Sequence, residues 1–213
     1  MFVKSIENKS NSFYIGFGKR LFDIVFSLAL LIVLSPILIA IWLLVKLSGE
    51  GPGFFKQVRV GKNGCAFILY KFRTMRNDPE TVGPLVTSRD DGRITVVGKY
   101  LRKYKLDELP QLYNVLIGDM SVVGPRPEAK KYVDLFENDY SYILQIYPGL
   151  TDYAALKFRN EEKILARYED VEEAYIDVVL PEKILLYRKY INEMSFQTDL
   201  KIVIRTLFGV IRI

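Results

Sequence analysis

Asp107 and Glu108 stand side by side in the stretch LDELPQLYNVLIGDMSVVG. Asp107 is a good helix N-cap, Pro110 is tolerated in a first turn whose amides lack helical partners, and Gly118 can end the helix. The two acids would then lie beside free backbone amides at a helix N-terminus, a natural phosphate site. Their importance grows with what the chain lacks. Its 213 residues include no histidine and a single cysteine, Cys65. That excludes Ser-His and Cys-His nucleophile systems, histidine-bound zinc and any intrachain disulfide. Catalysis has to rest on Asp, Glu, Lys, Arg, Tyr, hydroxyls or a hard metal ion held by oxygen.

Cations are placed where anions could meet them. In VVGPRPE, Pro125 and Pro127 fix the chain on either side of Arg126 and hold it extended. A rigid guanidinium suits bidentate phosphate binding, although a purely structural turn explains the motif as well. In FILYKFRTM, alternation puts Phe67, Leu69, Lys71 and Arg73 on one strand face. Lys71 and Arg73 are then about 6–7 Å apart near the strand end. Alone, a solvated strand face is the simpler reading of that pair. The net charge of +5 points to an anionic partner: nucleic acid, anionic lipid or a phosphorylated substrate.

These residues need elements to carry them. Half of the chain is hydrophobic although 26% is charged, because the apolar residues are concentrated. After a polar start over residues 1–18, residues 24–45 carry no formal charge, long enough to cross a bilayer. The run lies too deep and is too long for a signal peptide. Ser35-Pro36 interrupts it. Proline lacks an amide hydrogen and crowds the carbonyl of Ile32, so a kink is expected, with the Ser35 hydroxyl satisfying a freed group. Lys19 and Arg20 precede the run, and Lys46, Lys56, Arg59 and Lys62 follow it. Both flanks therefore read as cytoplasmic. Two arms of about 16 Å, each half the hydrocarbon thickness, would satisfy this as a re-entrant hairpin, while a kinked span remains the other reading. Asp23, one turn after Lys19, is placed for an ion pair at four-residue spacing.

After a turn at Gly51-Pro52-Gly53, FFKQVRV and FILYKFRTM read as strands around a GKNG turn. Residues 77–98 read as a long loop, and VGKYLRKY as a short basic helix. From Pro127, the positions Ala129, Val133, Phe136, Tyr140 and Leu144 predict one amphipathic helix ending before Pro148-Gly149. The chain from Pro181 is helical. Its last part, DLKIVIRTLFGVIRI, suits an interfacial helix or one packed on the core.

Taken together, KRLFD, the Ser-Pro within the apolar run, GPGFFKQVRVGKNG, YKFRTM, LRKYKLDELPQLYNVLIGDMSVVGPRPE and PGLTD resemble the monotopic phosphoglycosyl transferases, the bacterial sugar transferase family that starts lipid-linked glycan assembly. Each motif is weak alone, and their shared order is specific. The resemblance covers residues 19–213, in the family's minimal form. It implies an α+β, mostly helical fold: a re-entrant membrane helix over residues 19–48 broken at Ser35 and Pro36, then a catalytic domain over residues 49–213. That domain would have a small sheet and interfacial amphipathic helices, on the cytoplasmic face of the bacterial inner membrane. It implies that Asp107 of the Asp107-Glu108 dyad attacks the phosphorus next to the sugar of a UDP-sugar. UMP is released, and polyprenyl phosphate takes the phosphosugar from the aspartyl enzyme. Mg²⁺ is required, with Asp107 and Glu108 as its protein ligands.

General chemistry agrees, since acyl phosphates are established covalent intermediates, and cations must neutralise two phosphates before an anion can attack. Arg126 and Arg159 are the expected phosphate clamps, with Lys71, Arg73 and Arg102 as further candidates. Many members read PGLTG and then Asn-Gly-Arg, where this chain has TDYAALKFRN, so Asp152 is a departure. Rival readings are a UDP-sugar hydrolase and a non-catalytic basic membrane protein. Carboxylates beside the key arginines argue against nucleic acid as partner. The sugar, the acceptor length and a homodimer are left open by these motifs.

Overall fold

The computed structural model describes residues 13–76 and 92–211. A π-helical turn, Tyr14–Gly18, leads into the long apolar helix α1, Lys19–Leu47. An antiparallel hairpin follows, β1 Phe54–Val60 and β2 Ala66–Phe72, joined by a 3-10 turn at Lys62–Gly64. Then come α2 Val96–Lys103, α3 Gln111–Ile117, β3 Ser121–Val123, α4 Lys130–Leu135, α5 Glu137–Ile143 and β4 Gly149–Thr151. The chain closes with α6 Tyr153–Lys157, α7 Glu161–Leu165, α8 Val171–Ala174, α9 Leu180–Glu193 and α10 Phe196–Ile211. The architecture is mostly helical α+β with two small sheets.

The hairpin forms where the sequence alternates, in a register that sets Phe55 opposite Lys71 and Arg59 opposite Phe67. The second sheet is a parallel pair of β3 and β4, which periodicity did not announce because each strand has three residues. The chain passes so closely there that a Cβ on Gly149 would strike the backbone of Gly124, and one on Gly124 the Tyr147 carbonyl. The single helix expected from Pro127 is two helices. Phe136 leaves the helical region (φ −120°, ψ 40°) and separates α4 from α5. Much of the loop expected over residues 77–98 lies outside the described residues, and α2 already starts within its end at Val96.

Three apolar clusters hold the body together. The largest gathers Tyr132, Tyr140, Leu165, Val179, Leu180 and Tyr187 from the C-terminal helices. A second joins Leu69, Val115, Val122, Tyr190 and Ile202, with Phe22 and Phe26 of α1 packed on it. The third, Ile41, Val45, Phe72 and Leu101, ties the far end of α1 to β2 and α2. Both ends of α1 therefore dock on the body, while no residue from 28 to 40 is buried.

The N-terminal end of α1 is fastened by polar groups. Lys19 donates to Asp199 Oδ2 (2.6 Å), the Val123 carbonyl (2.8 Å) and Tyr190 (3.1 Å). Arg20 donates to the carbonyls of Val115 and Leu116 at the end of α3. Asp23 Oδ1 accepts from Val122 N at 2.8 Å and from the Ser121 hydroxyl at 3.0 Å. The expected Lys19–Asp23 pair is thus replaced by separate partners on the body, since each buried charge finds a better-placed long-range group than its helical neighbour.

α1 is helical from Lys19 to Leu47, with Ser35 and Pro36 inside it. Ser35 Oγ donates at 2.8 Å to the Ile32 carbonyl, the acceptor that Pro36 leaves without its helical amide. With its lead-in, Tyr14–Leu47, the helix is long and apolar enough to cross a membrane.

Candidate active site

The acidic pair is carried by a 3-10 turn, Leu106–Glu108, and not by the first turn of α3. Pro110 is the reason. It has no amide to give to Leu106, so the α-helical ladder starts only after it, with Pro110 in the cap position. Lys105 enters the turn in the left-handed conformation (φ 58°, ψ 22°), which redirects the chain from α2. A non-glycine residue there is uncommon and costs on the order of 1–2 kcal/mol.

Asn114, fully buried in α3, locks this turn to the hairpin. Its side chain accepts from Tyr70 N at 3.1 Å and donates to the Ile68 carbonyl at 2.7 Å, acting as a short strand partner for β2. Lys71, next along β2, thereby reaches Glu108 Oε1 at 3.3 Å. Arg126 from the Pro125–Pro127 turn grips the same carboxylate with both terminal nitrogens, Nη2 on Oε1 and Nη1 on Oε2, the latter at 3.3 Å. This is the fork-on-carboxylate arrangement that arginine favours.

The two acids differ sharply in surroundings. Burial would raise Glu108, but Arg126 and Lys71 outweigh it and hold its carboxyl well below the usual range. Burial raises Asp107, the Glu108 charge adds to that, and Lys71, Lys105 and Arg102 pull the other way. Asp107 is 8% exposed, and its Oδ1 is buried without a hydrogen-bond partner. Gln111 Nε2, one turn further on, is also buried and unpartnered. Buried polar atoms left unsatisfied on both an acceptor and a donor are what a ligand site offers before its ligand arrives. Lys71 is lowered by its burial, while Glu108 and Asp107 favour its charge.

The structure brings Asp107, Glu108, Lys71 and Arg126 together, but Arg73 goes elsewhere. β2 ends at Phe72, and Arg73 turns its guanidinium onto the carbonyls of Val45 (2.8 Å), Gly49 (2.8 Å) and Glu50. Arg73 therefore lies beyond the strand face expected to carry it with Lys71, and its guanidinium is engaged away from Glu108. The last turn of α1 and the turn after it leave carbonyls without helical amides, and a buried guanidinium supplies several donors at once. Arg102 is held by Glu162 through Nε (3.1 Å) and Nη2 (2.5 Å), so its field reaches Asp107 while its hydrogen bonds are used. Arg159 lies against Gly209 of α10, with Nη2 buried and without a partner.

Three residues that sequence reading gave no place in the site also lie here. Lys105 faces both acids, and only its position beside them in sequence hinted at that. Arg59 of β1 lies close to Arg126 and Glu128, with a buried, unpaired Nε. The carboxylate of Asp152 accepts from Arg126 N at 3.2 Å.

The family model described as bacterial sugar transferase matches residues 14–213. The chain is 38% identical over 189 residues to the uncharacterized sugar transferase EpsL of Bacillus subtilis, covering 89% of this chain and 85% of that one. It is 41% identical over 160 residues to the undecaprenyl-phosphate galactose phosphotransferase of Salmonella typhimurium, covering 68% of this chain but 33% of that protein. It is 38% identical over 197 residues to the UDP-glucose:undecaprenyl-phosphate glucose-1-phosphate transferase of Klebsiella pneumoniae, covering 89% of this chain and 39% of that protein. With a family match across almost its whole length and relatives of this identity and coverage, the chain belongs to the bacterial sugar transferase family.

Proposed function

We propose that this chain is a membrane phosphoglycosyl transferase that moves a sugar 1-phosphate from a UDP-sugar to a polyprenyl phosphate, of the undecaprenyl class, and releases UMP. Such a step starts polysaccharide or glycoconjugate assembly. The observation that carries this reading is the free, buried Oδ1 of Asp107 beside a Glu108 already locked by Arg126 and Lys71. One carboxylate is left for bond formation, and its neighbour organises the cations. The printed activities of the Salmonella and Klebsiella relatives support the donor and acceptor classes.

In this mechanism Asp107 attacks the phosphorus bearing the sugar. A carboxylate–phosphorus bond forms as the bond to the bridging oxygen breaks, and that oxygen leaves with its electron pair on UMP. A phosphate oxygen of the polyprenyl acceptor then attacks the same phosphorus and restores the carboxylate. Lys71 and Arg126 offset the charge that would otherwise repel an anionic nucleophile. The donor set fits Mg²⁺, which takes one or two carboxylates with phosphate and water. Among the described residues no group of three or more His, Cys, Asp or Glu forms a closed cage, so Asp107, with Glu108 at its side, would be the protein's share. When bound, the ion would draw charge from the phosphates.

The membrane arrangement belongs to the same proposal. α1 has 29 residues and would be about 43 Å long if straight. Both its ends dock on the same body and its middle is bare, which favours a bent helix entering and leaving by the cytoplasmic face. Phe196, Leu200, Ile204, Leu207 and Phe208 form an exposed stripe on α10 suited to lying in the interface.

The test is turnover of a UDP-sugar panel with Mg²⁺ and polyprenyl phosphate, read as UMP. A burst of UMP before acceptor is added, and an Asp107 peptide heavier by one phosphosugar, are expected. Asp107→Asn should abolish both. UMP release that strictly requires acceptor, with no adduct, would remove Asp107 as nucleophile. Sustained UMP release without acceptor would make the chain a hydrolase. Full turnover in excess chelator would defeat the metal assignment.

A further inference from the structure

The turn that carries Arg126 has a second carboxylate behind it. Asp152 follows β4, is 1% exposed, and divides its oxygens between two main-chain amides. Oδ1 accepts from Ala155 N at 2.5 Å and caps α6. Oδ2 accepts from Arg126 N at 3.2 Å, across 26 positions of sequence. A helix cap needs only the first bond. The second reaches the one residue of the Pro125–Pro127 turn that has an amide hydrogen, since neither proline carries one. The surrounding backbone makes this possible. Gly124 N donates to the Thr151 carbonyl at 3.0 Å and Gly149 N to the Pro125 carbonyl at 2.8 Å, so β4 lies flush against the start of the turn. Asp152 completes that seam at the point where the Arg126 side chain departs for Glu108.

We propose that Asp152 is a positioning residue for the transfer reaction: by holding the Arg126 amide, its carboxylate fixes the guanidinium on Glu108 and towards the donor's phosphates. This rests on the reading that Arg126 and Glu108 serve that reaction. The chemistry favours a clamp over a mere cap. A guanidinium that must meet both oxygens of one carboxylate tolerates little backbone drift, because a misplacement of about 1 Å can lower a rate 10²-fold.

The clamp works only while the carboxyl is ionised. Protonation turns one oxygen into a donor, and two amides then compete for the acceptor that remains. Burial pushes Asp152 up to about 6, against the Ala155 amide, Lys183 and Arg126. The groups facing it are Lys183 and Tyr187 of α9, Tyr140 of α5 and Arg126 itself. Lys183 is tied to Glu161 at 2.5 Å, and burial holds both phenols neutral. Activity should therefore fall as pH drops through the Asp152 transition, because the ionised form is the one that holds Arg126.

The experiment uses the full chain in lipid nanodiscs, with the UDP-sugar that the wild type turns over, polyprenyl phosphate and Mg²⁺. UMP release is followed from about pH 5 to pH 8, alongside thermal unfolding. Asp152→Asn and Asp152→Ser both keep a good cap for α6. Asn offers only one acceptor oxygen, and the Ser hydroxyl is too short to serve both amides. Both should lower kcat per folded molecule about tenfold or more at the alkaline end. Relative to its own alkaline rate, the Asn variant should lose less activity near pH 6 than the wild type, the remaining acid fall being that of Asp107, which both proteins share. Wild-type kcat, KM and pH profile in the folded fraction of both variants would reduce Asp152 to a helix cap and overturn the proposal. A wild type that turns over no UDP-sugar sinks the functional reading, and the clamp with it. An active wild type matched by both variants sinks the clamp alone.

Discussion

Glu108 and Asp107 are adjacent in sequence and opposite in circumstance. Glu108 is the counter-ion of two part-buried cations, so Glu108→Gln keeps the shape but strands Lys71 and Arg126. Removing one partner of such a buried pair costs about 3–5 kcal/mol. The variant should unfold at lower denaturant concentration than Asp107→Asn, whose changed atom Oδ1 has no partner to lose. Equal midpoints for the two variants would contradict this account of the pair. Asp152 makes a prediction of the other sign. Its folded-state pKa, about 6, lies above the ordinary 3.8, so the native state binds the proton more tightly than the unfolded chain. Ionised Asp152 then costs stability, on the order of 3 kcal/mol at neutral pH. That cost fades as pH falls from above 6 towards 4. Acidification should thus relieve a strain on folding while it lowers activity, and Asp152→Asn should flatten the stability term. Denaturant midpoints at matched pH for the two proteins measure it.

At the scale of the element, β2 does two jobs from neighbouring positions. Lys71 reaches Glu108, and Arg73, just past the strand end, binds the Val45 carbonyl in the last turn of α1 and the Gly49 and Glu50 carbonyls just beyond it. The strand therefore connects the end of the apolar helix to the acidic turn. Arg73→Ala removes charged donors from three carbonyls, of which Val45 keeps the Ser48 hydroxyl, and should destabilise the protein by roughly 3 kcal/mol, since hydrogen bonds to a charged group contribute about 1.5–3 each. The donor KM of the folded fraction should stay near wild type. A raised KM with an unchanged unfolding midpoint would return Arg73 to the phosphates. The hairpin's strand positions were readable from alternation alone. The 3-10 turn of the dyad was not, because it depends on one missing amide at Pro110 and a left-handed Lys105 whose side chain gives no warning of its backbone.

For the whole molecule the decisive feature is where the apolar surface lies. Ile32, Val33 and Ile37 in the middle of α1 are bare, as is the stripe on α10, while both ends of α1 are fastened to the body. If α1 re-enters, Cys65, exposed after the first strand, and a cysteine placed by Ser12→Cys in a Cys65→Ser background lie on one side. Membrane-impermeant maleimide should label neither in intact cells and both after permeabilisation. Labelling of one from outside would establish a span. Pro36→Ala restores the amide that the Ile32 carbonyl lacks and should straighten α1, shifting the labelling towards that spanning pattern.

Composition and local order alone excluded histidine chemistry, located the apolar run, drew the hairpin and singled out Asp107, Glu108 and Arg126, because each of these depends on residue type or short-range periodicity. The partners were decided only by the fold. Arg126 meets Glu108 across 18 positions, Asp152 meets Arg126 across 26, and Lys19 meets Asp199 across 180. A cation in a sequence has many acids to choose from, and burial selects among them. Once water is gone, each charge must take the nearest group that satisfies it, and proximity at that range is a property of packing.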